Sequence, residues 1–112
     1  MSLRKPTSTP ETAQPEHPRH QLAEDLAHPV RFSLTAALAA TDETEFAVLR
    51  DHLQVSDSVL SRQASALETS GIVRIRKGYI GKRPRTWLSL TKAGRDIWAQ
   101  HLAALQAIAS GS

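Results

Sequence analysis

The chain has 112 residues, a formal net charge of +3, 40% hydrophobic but only 4% aromatic residues, and no cysteine. That length accommodates one domain with a modest aliphatic core, and the missing cysteines exclude disulfides and thiolate metal sites. No apolar run approaches the ~18 residues of a membrane span, and the start MSLRKPTSTPE lacks the apolar stretch of a secretory signal. A cytoplasmic chain without membrane contact is the expectation.

Residues 1–20 read as a disordered tail, with Pro6, Pro10, Pro15 and Pro18 set among polar residues that show no helical or strand period. A short helical turn over HQLAEDLA follows, placing Leu22 and Leu26 one turn apart. Pro29 suits the first position of a helix, where its missing N–H costs nothing. Within PVRFSLTAALAA, Val30, Leu34, Ala37 and Leu38 make one apolar stripe, and Phe32, Ala36, Ala39 and Ala40 make another. A helix apolar on nearly all sides is buried on nearly all sides, so in so small a domain the second face points to another chain. Asp42 followed by Glu45 resembles a capping box opening a second helix, EFAVLRDHL, that turns Phe46, Leu49 and Leu53 inward. Gln54-Val55 leaves room only for a turn.

Ser56 is a good N-cap for a third helix, DSVLSRQASALETS, which buries Leu60, Ala64 and Leu67 and ends at Gly71. Helix, tight turn, helix and glycine stop is helix-turn-helix spacing. Two β-prone runs follow, IVRIRK and RTWLSL. Their alternation puts Val73, Ile75, Leu88 and Leu90 toward the core and Arg74, Arg76, Arg85 and Trp87 on the other side. A loop from Gly78 to Pro84 joins them. Thr91 caps a last helix, KAGRDIWAQHLAALQAIA, in which Gly94 permits close packing on the hairpin. This helix also carries two stripes, Trp98, Leu102, Leu105 and Ala109, then Ile97, Ala104 and Ile108. The domain is expected to span 21–109, with 110–112 frayed.

Between Thr69 and Arg95 there is no Asp or Glu, whereas Arg74, Arg76, Lys77, Lys82, Arg83, Arg85, Lys92 and Arg95 all fall there. A basic hairpin beside a capped helix of small polar residues suits a nucleic-acid duplex. No nucleophile–base pair, phosphate loop or paired carboxylates are present, so an enzyme is not expected. Asp96 and His101 are five apart, off a shared helix face, and neither a metal nor another cofactor is expected.

Five segments carry a resemblance: EF…L…L at Glu45–Leu53, SDSVLSR at Ser56–Arg62, LETSGIV at Leu67–Val73, KGYIGKRPRT at Lys77–Thr86 and LTKAGR at Leu90–Arg95. They resemble the small winged-helix transcriptional regulators related to the MarR (multiple-antibiotic-resistance) family, a likeness that extends over roughly residues 28–108. The resemblance implies a mostly α fold with a small β-hairpin, a winged helix-turn-helix with an additional C-terminal helix. It further implies a homodimer on pseudo-palindromic operators, with the third helix in the major groove and the wing on phosphates or the minor groove. The sequence departs from that pattern at Gln63-Ala64, where His-Leu is common, and in a wholly basic wing, where an acidic residue usually precedes the arginine. Arg83 and Arg85 are both open to that arginine's role.

The residues expected at double-stranded DNA are therefore Ser56, Ser58, Ser61, Arg62, Gln63 and Ser65 on the helix, with Arg74, Arg76, Lys77, Lys82, Arg83 and Arg85 on the wing. Arg62 can make a bidentate contact to guanine, worth ~1–3 kcal/mol of discrimination. Asp57, in the first helical turn, complements the helix dipole instead. The expected dimer surface comprises Leu22, Leu26, Phe32, Ala36, Trp98, Leu102, Leu105 and Ile108. The function expected is sequence-specific DNA binding as a homodimeric regulator, a repressor; no effector is assigned. The alternative is a winged helix used for protein assembly, docking an acidic partner.

Overall fold

Pro29 opens the first helix, and His28 caps it through Nδ1, which accepts the N–H of Val30 at 3.1 Å. In the computed structural model, which describes residues 16–111, this helix α1 spans Pro29–Ala39. It is preceded by two 3-10 turns, Pro18–Gln21 and Glu24–Leu26. After it come β1 (Thr44–Glu45), α2 (Phe46–Leu53), α3 (Asp57–Thr69), β2 (Val73–Ile80), β3 (Arg83–Leu90) and α4 (Lys92–Ala109). The strands form one antiparallel sheet in the order β1-β3-β2. This is the expected winged helix-turn-helix with a C-terminal helix. Residues 1–15 of the expected tail lie outside the described residues, and Pro18–Gln21 already form a turn.

The core is aliphatic, as the composition requires. Leu34 and Leu38 of α1 meet Leu49 of α2, Leu60 and Leu67 of α3, and Ile72, Val73 and Leu88 at the base of the hairpin. Each such side chain, fully buried, contributes about 1.5–3 kcal/mol of transfer free energy. Leu26, expected on a surface shared with another chain, is 1% exposed inside this core. The 3-10 turn carrying it folds back on α1 and buries the leucine within its own chain.

Two local expectations are corrected. No capping box forms before α2: Glu45 occupies the N-cap position without a side-chain hydrogen bond. Thr44 and Glu45 instead pair with Leu88 and Trp87 as a third strand, because the outer edge of β3 offers backbone partners that a helix turn would leave unmet. The hairpin is also longer than expected. The segment Gly78–Pro84 is strand except at the turn, where Gly81 takes φ 63 between Ile80 and Arg83.

The joint at the foot of the hairpin forms as the sequence indicates. Gly71, at φ 80, ends α3; its N–H donates to Glu68 O at 3.0 Å and that of Ile72 to Leu67 O at 2.9 Å, a Schellman closure. The Thr91 hydroxyl accepts the N–H of Gly94 at 2.8 Å and donates to Gly71 O at 2.6 Å, while the Thr91 N–H donates to Ile72 O at 3.0 Å. A Cβ on Gly94 would lie 2.1 Å from that same Ile72 oxygen, so only glycine lets α4 start here. One turn on, Arg95 donates to Thr41 O at 2.8 Å and to Ala39 O at 3.5 Å, tying α4 to the end of α1.

At its other end α4 holds the N-terminal turns. His101 is 4% exposed, and its Nδ1 accepts the Ala23 N–H at 2.9 Å. The Phe32 ring lies 5.1 Å from Trp98 and 5.8 Å from His101 by centroids. Burial holds the imidazole below its ordinary pKa of 6.5.

Gly94→Ala is expected to cost about 2–3 kcal/mol of unfolding free energy, since the obstructing atom is backbone; a urea midpoint equal to that of the parent would refute the close approach. His101 gives a pH signature. The folded chain favours the neutral imidazole, so the unfolded chain takes up protons first as pH falls below about 6.5. The stabilisation is thus complete above that pH and is lost on acidification. His101→Asn, which keeps an acceptor for the Ala23 N–H, should flatten the stability curve on the acid side, and identical curves would exclude His101 as its source.

Candidate nucleic-acid interface

Helix α3 begins where a hydroxyl can serve its first turn. Ser56 Oγ accepts the Val59 N–H at 3.1 Å and lies 3.2 Å from Ser58 Oγ. From there Ser58, Ser61, Arg62 and Ser65 run along one exposed side, spaced at helical intervals. Arg62 has no ion-pair partner among the described residues. Asp57 does: Arg50 Nη1 lies 2.9 Å from it, and Arg50 Nε 3.0 Å from Asp51. Hydrogen bonds to Asp51 and then Asp57 raise the Arg50 pKa further above its already high ordinary value. The carboxylate at the start of α3 is therefore neutralised by α2 as well as by the helix dipole.

Gln63 departs from expectation. It is 7% exposed, and Oε1 accepts Arg31 Nε of α1 at 2.7 Å. The residue sits on the inward side with Leu60, Ala64 and Leu67, so its amide braces α1 against α3 and is turned away from any ligand on the exposed side. The spacing from Leu60 to Gln63 (three residues) held that signal; the polarity of the side chain obscured it.

The hairpin has two faces, and they divide its cations. Val73↔Leu90, Ile75↔Leu88, Lys77↔Thr86 and Tyr79↔Pro84 are cross-strand pairs on the face toward α3. Arg74↔Ser89, Arg76↔Trp87, Gly78↔Arg85 and Ile80↔Arg83 lie on the opposite face. A groove of about 590 Å³ runs between α3 and the first face, lined among others by Ser61, Ser65 and Glu68 on one side and by Lys77 and Thr86 on the other. Lys77, Lys82 and Arg83 are exposed, the last two at the tip, where Tyr79 is 72% and Ile80 54% exposed.

Arg76 and Arg85 are occupied on the outer face. Arg76 forks onto Glu43 through Nε at 3.0 Å and Nη2 at 2.9 Å, with its guanidinium 4.2 Å over the Trp87 ring. The hydrogen bond to Arg76 pulls the Glu43 carboxyl below its usual range. Arg85 Nε lies 3.5 Å from Glu45. Arg74 is exposed on this face with no ion-pair partner among the described residues. The wing carries no acid of its own, but β1 and the residue before it bring two. Glu43 and Glu45 were missed as wing residues because a two-residue strand leaves no alternation to read.

A second, largely apolar surface lies between the N-terminal turns, α1 and α4. Leu22, Phe32, Ala36, Trp98, Leu102, Leu105 and Ile108 are all half-buried. A groove of about 600 Å³ opens there between the N-terminal turns, α1 and α4, with Leu22, Ala27, Phe32 and Leu105 in its walls and Arg19 at its rim. Asp96 pairs with Lys92 at 3.4 Å, while His101 is turned inside, so these two do not converge. Among the described residues no helix is long and apolar enough to cross a membrane.

A family model described as a winged helix DNA-binding domain matches residues 30–109. No curated protein sequence matches the chain. Among solved structures, the transcriptional regulator homologue from Pyrococcus horikoshii OT3 is 27% identical at a TM-score of 0.75, over 80% of this chain and 88% of that one. The heme sensor protein PefR from Streptococcus agalactiae is 22% identical at 0.72, over 96% of this chain and 73% of that one. The zinc-responsive MarR family member ZitR from Lactococcus lactis is 18% identical at 0.56, over 73% of this chain and 56% of that one. At those identities the last two speak to the fold, which is the one the MarR resemblance implied.

Proposed function

The chain belongs to the winged helix DNA-binding domain family, and on that premise we propose that it is a homodimeric, sequence-specific transcriptional repressor. The observation that carries the reading is the groove shared by α3 and one face of the hairpin. Its helical wall offers Ser61 and Ser65, with Ser58 and Arg62 exposed on the same helix beside it; its sheet wall offers Lys77, and Lys82 and Arg83 stand at the tip. Small hydroxylated side chains let a helix lie deep in a major groove, and Arg62 supplies the donor fork that reads guanine. The tip cations reach phosphates or the neighbouring minor groove, whose negative potential favours arginine. The division gives the helix discrimination and the wing affinity.

The dimer reading is supported by the half-buried apolar side chains of α1, α4 and the N-terminal turns, which line a groove that α3 does not enter. A two-fold axis through that surface would present two copies of α3 to successive major grooves, roughly 34 Å apart.

Binding to genomic DNA fragments should weaken steeply with salt. In Lys82→Ala/Arg83→Ala the slope of log K against log salt should fall by about 2, close to one counterion per lost phosphate contact. An unaltered slope would remove the tip from the phosphate backbone, and no binding by the parent at low salt would favour an acidic protein partner instead. Sedimentation at tens of micromolar should give twice the 12.3 kDa chain mass; the monomer mass would refute the dimer.

A further inference from the structure

The outer half of the hairpin has nothing beneath it. Its buried side chains stop at Leu88, and from Lys77 to Pro84 only Gly78 is other than exposed. A two-stranded ribbon without a packed face is weakly constrained, and its direction relative to α3 must come from elsewhere. The outer face supplies a clamp. Glu43, just before β1, reaches across β3 to fork Arg76 of β2, and the guanidinium closes over Trp87 of the strand between them. All three strands are thereby joined in one contact. Gly78 leaves space for it: a Cβ there would come within 3.1 Å of the Trp87 ring and 3.6 Å of Arg76 Nη1.

We propose that Glu43 and Arg76 are positioning residues for DNA binding: together they fix the angle of the wing against α3, and Arg76 works through that clamp, not by touching phosphate. The proposal rests on the DNA-binding reading above. Two observations favour it over phosphate contact. Arg76 projects from the face opposite the α3 groove, and its fork is already filled by a carboxylate. A carboxylate beside a polyanion opposes binding by simple charge, so its presence at the wing is offset only if it orders something that binding needs. Isolated exposed ion pairs contribute little to stability, but a bidentate fork stacked on an indole is held in one geometry.

The charge argument makes the test sharp, because the two roles predict opposite signs. Dissociation constants for genomic DNA fragments would be measured across a salt series with the full chain, Glu43→Gln, Arg76→Ala and Arg76→Lys. Glu43→Gln is expected to bind about fivefold more weakly, although it removes a negative charge, since a wing no longer preorganised must be ordered on binding. Arg76→Lys keeps the charge but not the fork or the stacking, and should weaken binding nearly as much as Arg76→Ala. Both should leave the salt slope unchanged, and Glu43→Gln/Arg76→Ala should be no worse than the weaker single variant. Amide exchange at Gly78–Ile80 should quicken in each, at thermal midpoints close to the parent's. Equal or tighter binding by Glu43→Gln overturns the proposal, as does a slope lowered by about 1 in Arg76→Ala. Loss of DNA binding by the parent overturns the functional reading and this proposal together; the variant results alone overturn only the positioning role.

Discussion

One hydroxyl and one missing methyl fix the geometry on which the surface shared by α3 and the hairpin depends. Thr91 holds the end of α3 through Gly71 O, the start of β2 through Ile72 O and the first turn of α4 through the Gly94 N–H. Gly94 allows α4 to pass directly against the Ile72 carbonyl. These contacts pin α3, hairpin and last helix to a common point, so the relative placement of α3 and β2–β3 is set where they meet. Farther along the hairpin that leverage weakens, because a small angular error at the foot becomes a large displacement at Lys82 and Arg83. The outer-face contact between Glu43, Arg76 and Trp87 sits midway along the lever.

The sequence shows one basic block from Arg74 to Arg95, and the structure divides it by role. Arg95 donates to the carbonyls that end α1, and Lys92 pairs with Asp96; both stand on α4, not on the wing. Arg76 and Arg85 face Glu43 and Glu45. What stays exposed without an ion-pair partner among the described residues is Lys77 in the groove, Lys82 and Arg83 at the tip, and Arg74 near the foot. The positive field is therefore concentrated at the end of the hairpin, while the exposed side of α3 carries only Arg62 against Glu68 and the neutralised Asp57. A helix with so little charge contributes shape and hydrogen bonding more than attraction.

The elements most legible in the sequence were those set by a single residue's local chemistry. Ser56 caps α3, Gly71 ends it in the left-handed region, Thr91 caps α4, and the alternation from Val73 to Leu90 gives the correct core face. Illegible were features that depend on a partner distant in sequence. Thr44–Glu45 becomes a strand only because β3 presents an edge. Gln63 is interior only because Arg31, 32 residues earlier, arrives to satisfy it. Leu26 enters the core because the second 3-10 turn folds onto α1, which its spacing from Leu22 does not encode. The ion pairs of Arg76 and Arg85 were hidden for the same reason: their carboxylates lie outside the acid-free stretch.

The apolar groove and helix α3 share a single rigid element. On α1, Arg31 reaches Gln63 of α3, and its neighbour Phe32 packs on Trp98 and His101 of α4. Adjacent residues of one helix thus touch α3 on one side and the apolar groove on the other. Leu34 and Leu38, both 0% exposed, allow α1 little room to slide between them. A displacement of α1 driven from the groove would have to break the 2.7 Å Arg31–Gln63 bond, leaving a buried amide oxygen unmet, or carry α3 with it. Because an unmet buried acceptor is costly, moving the two helices as a body is the cheaper response.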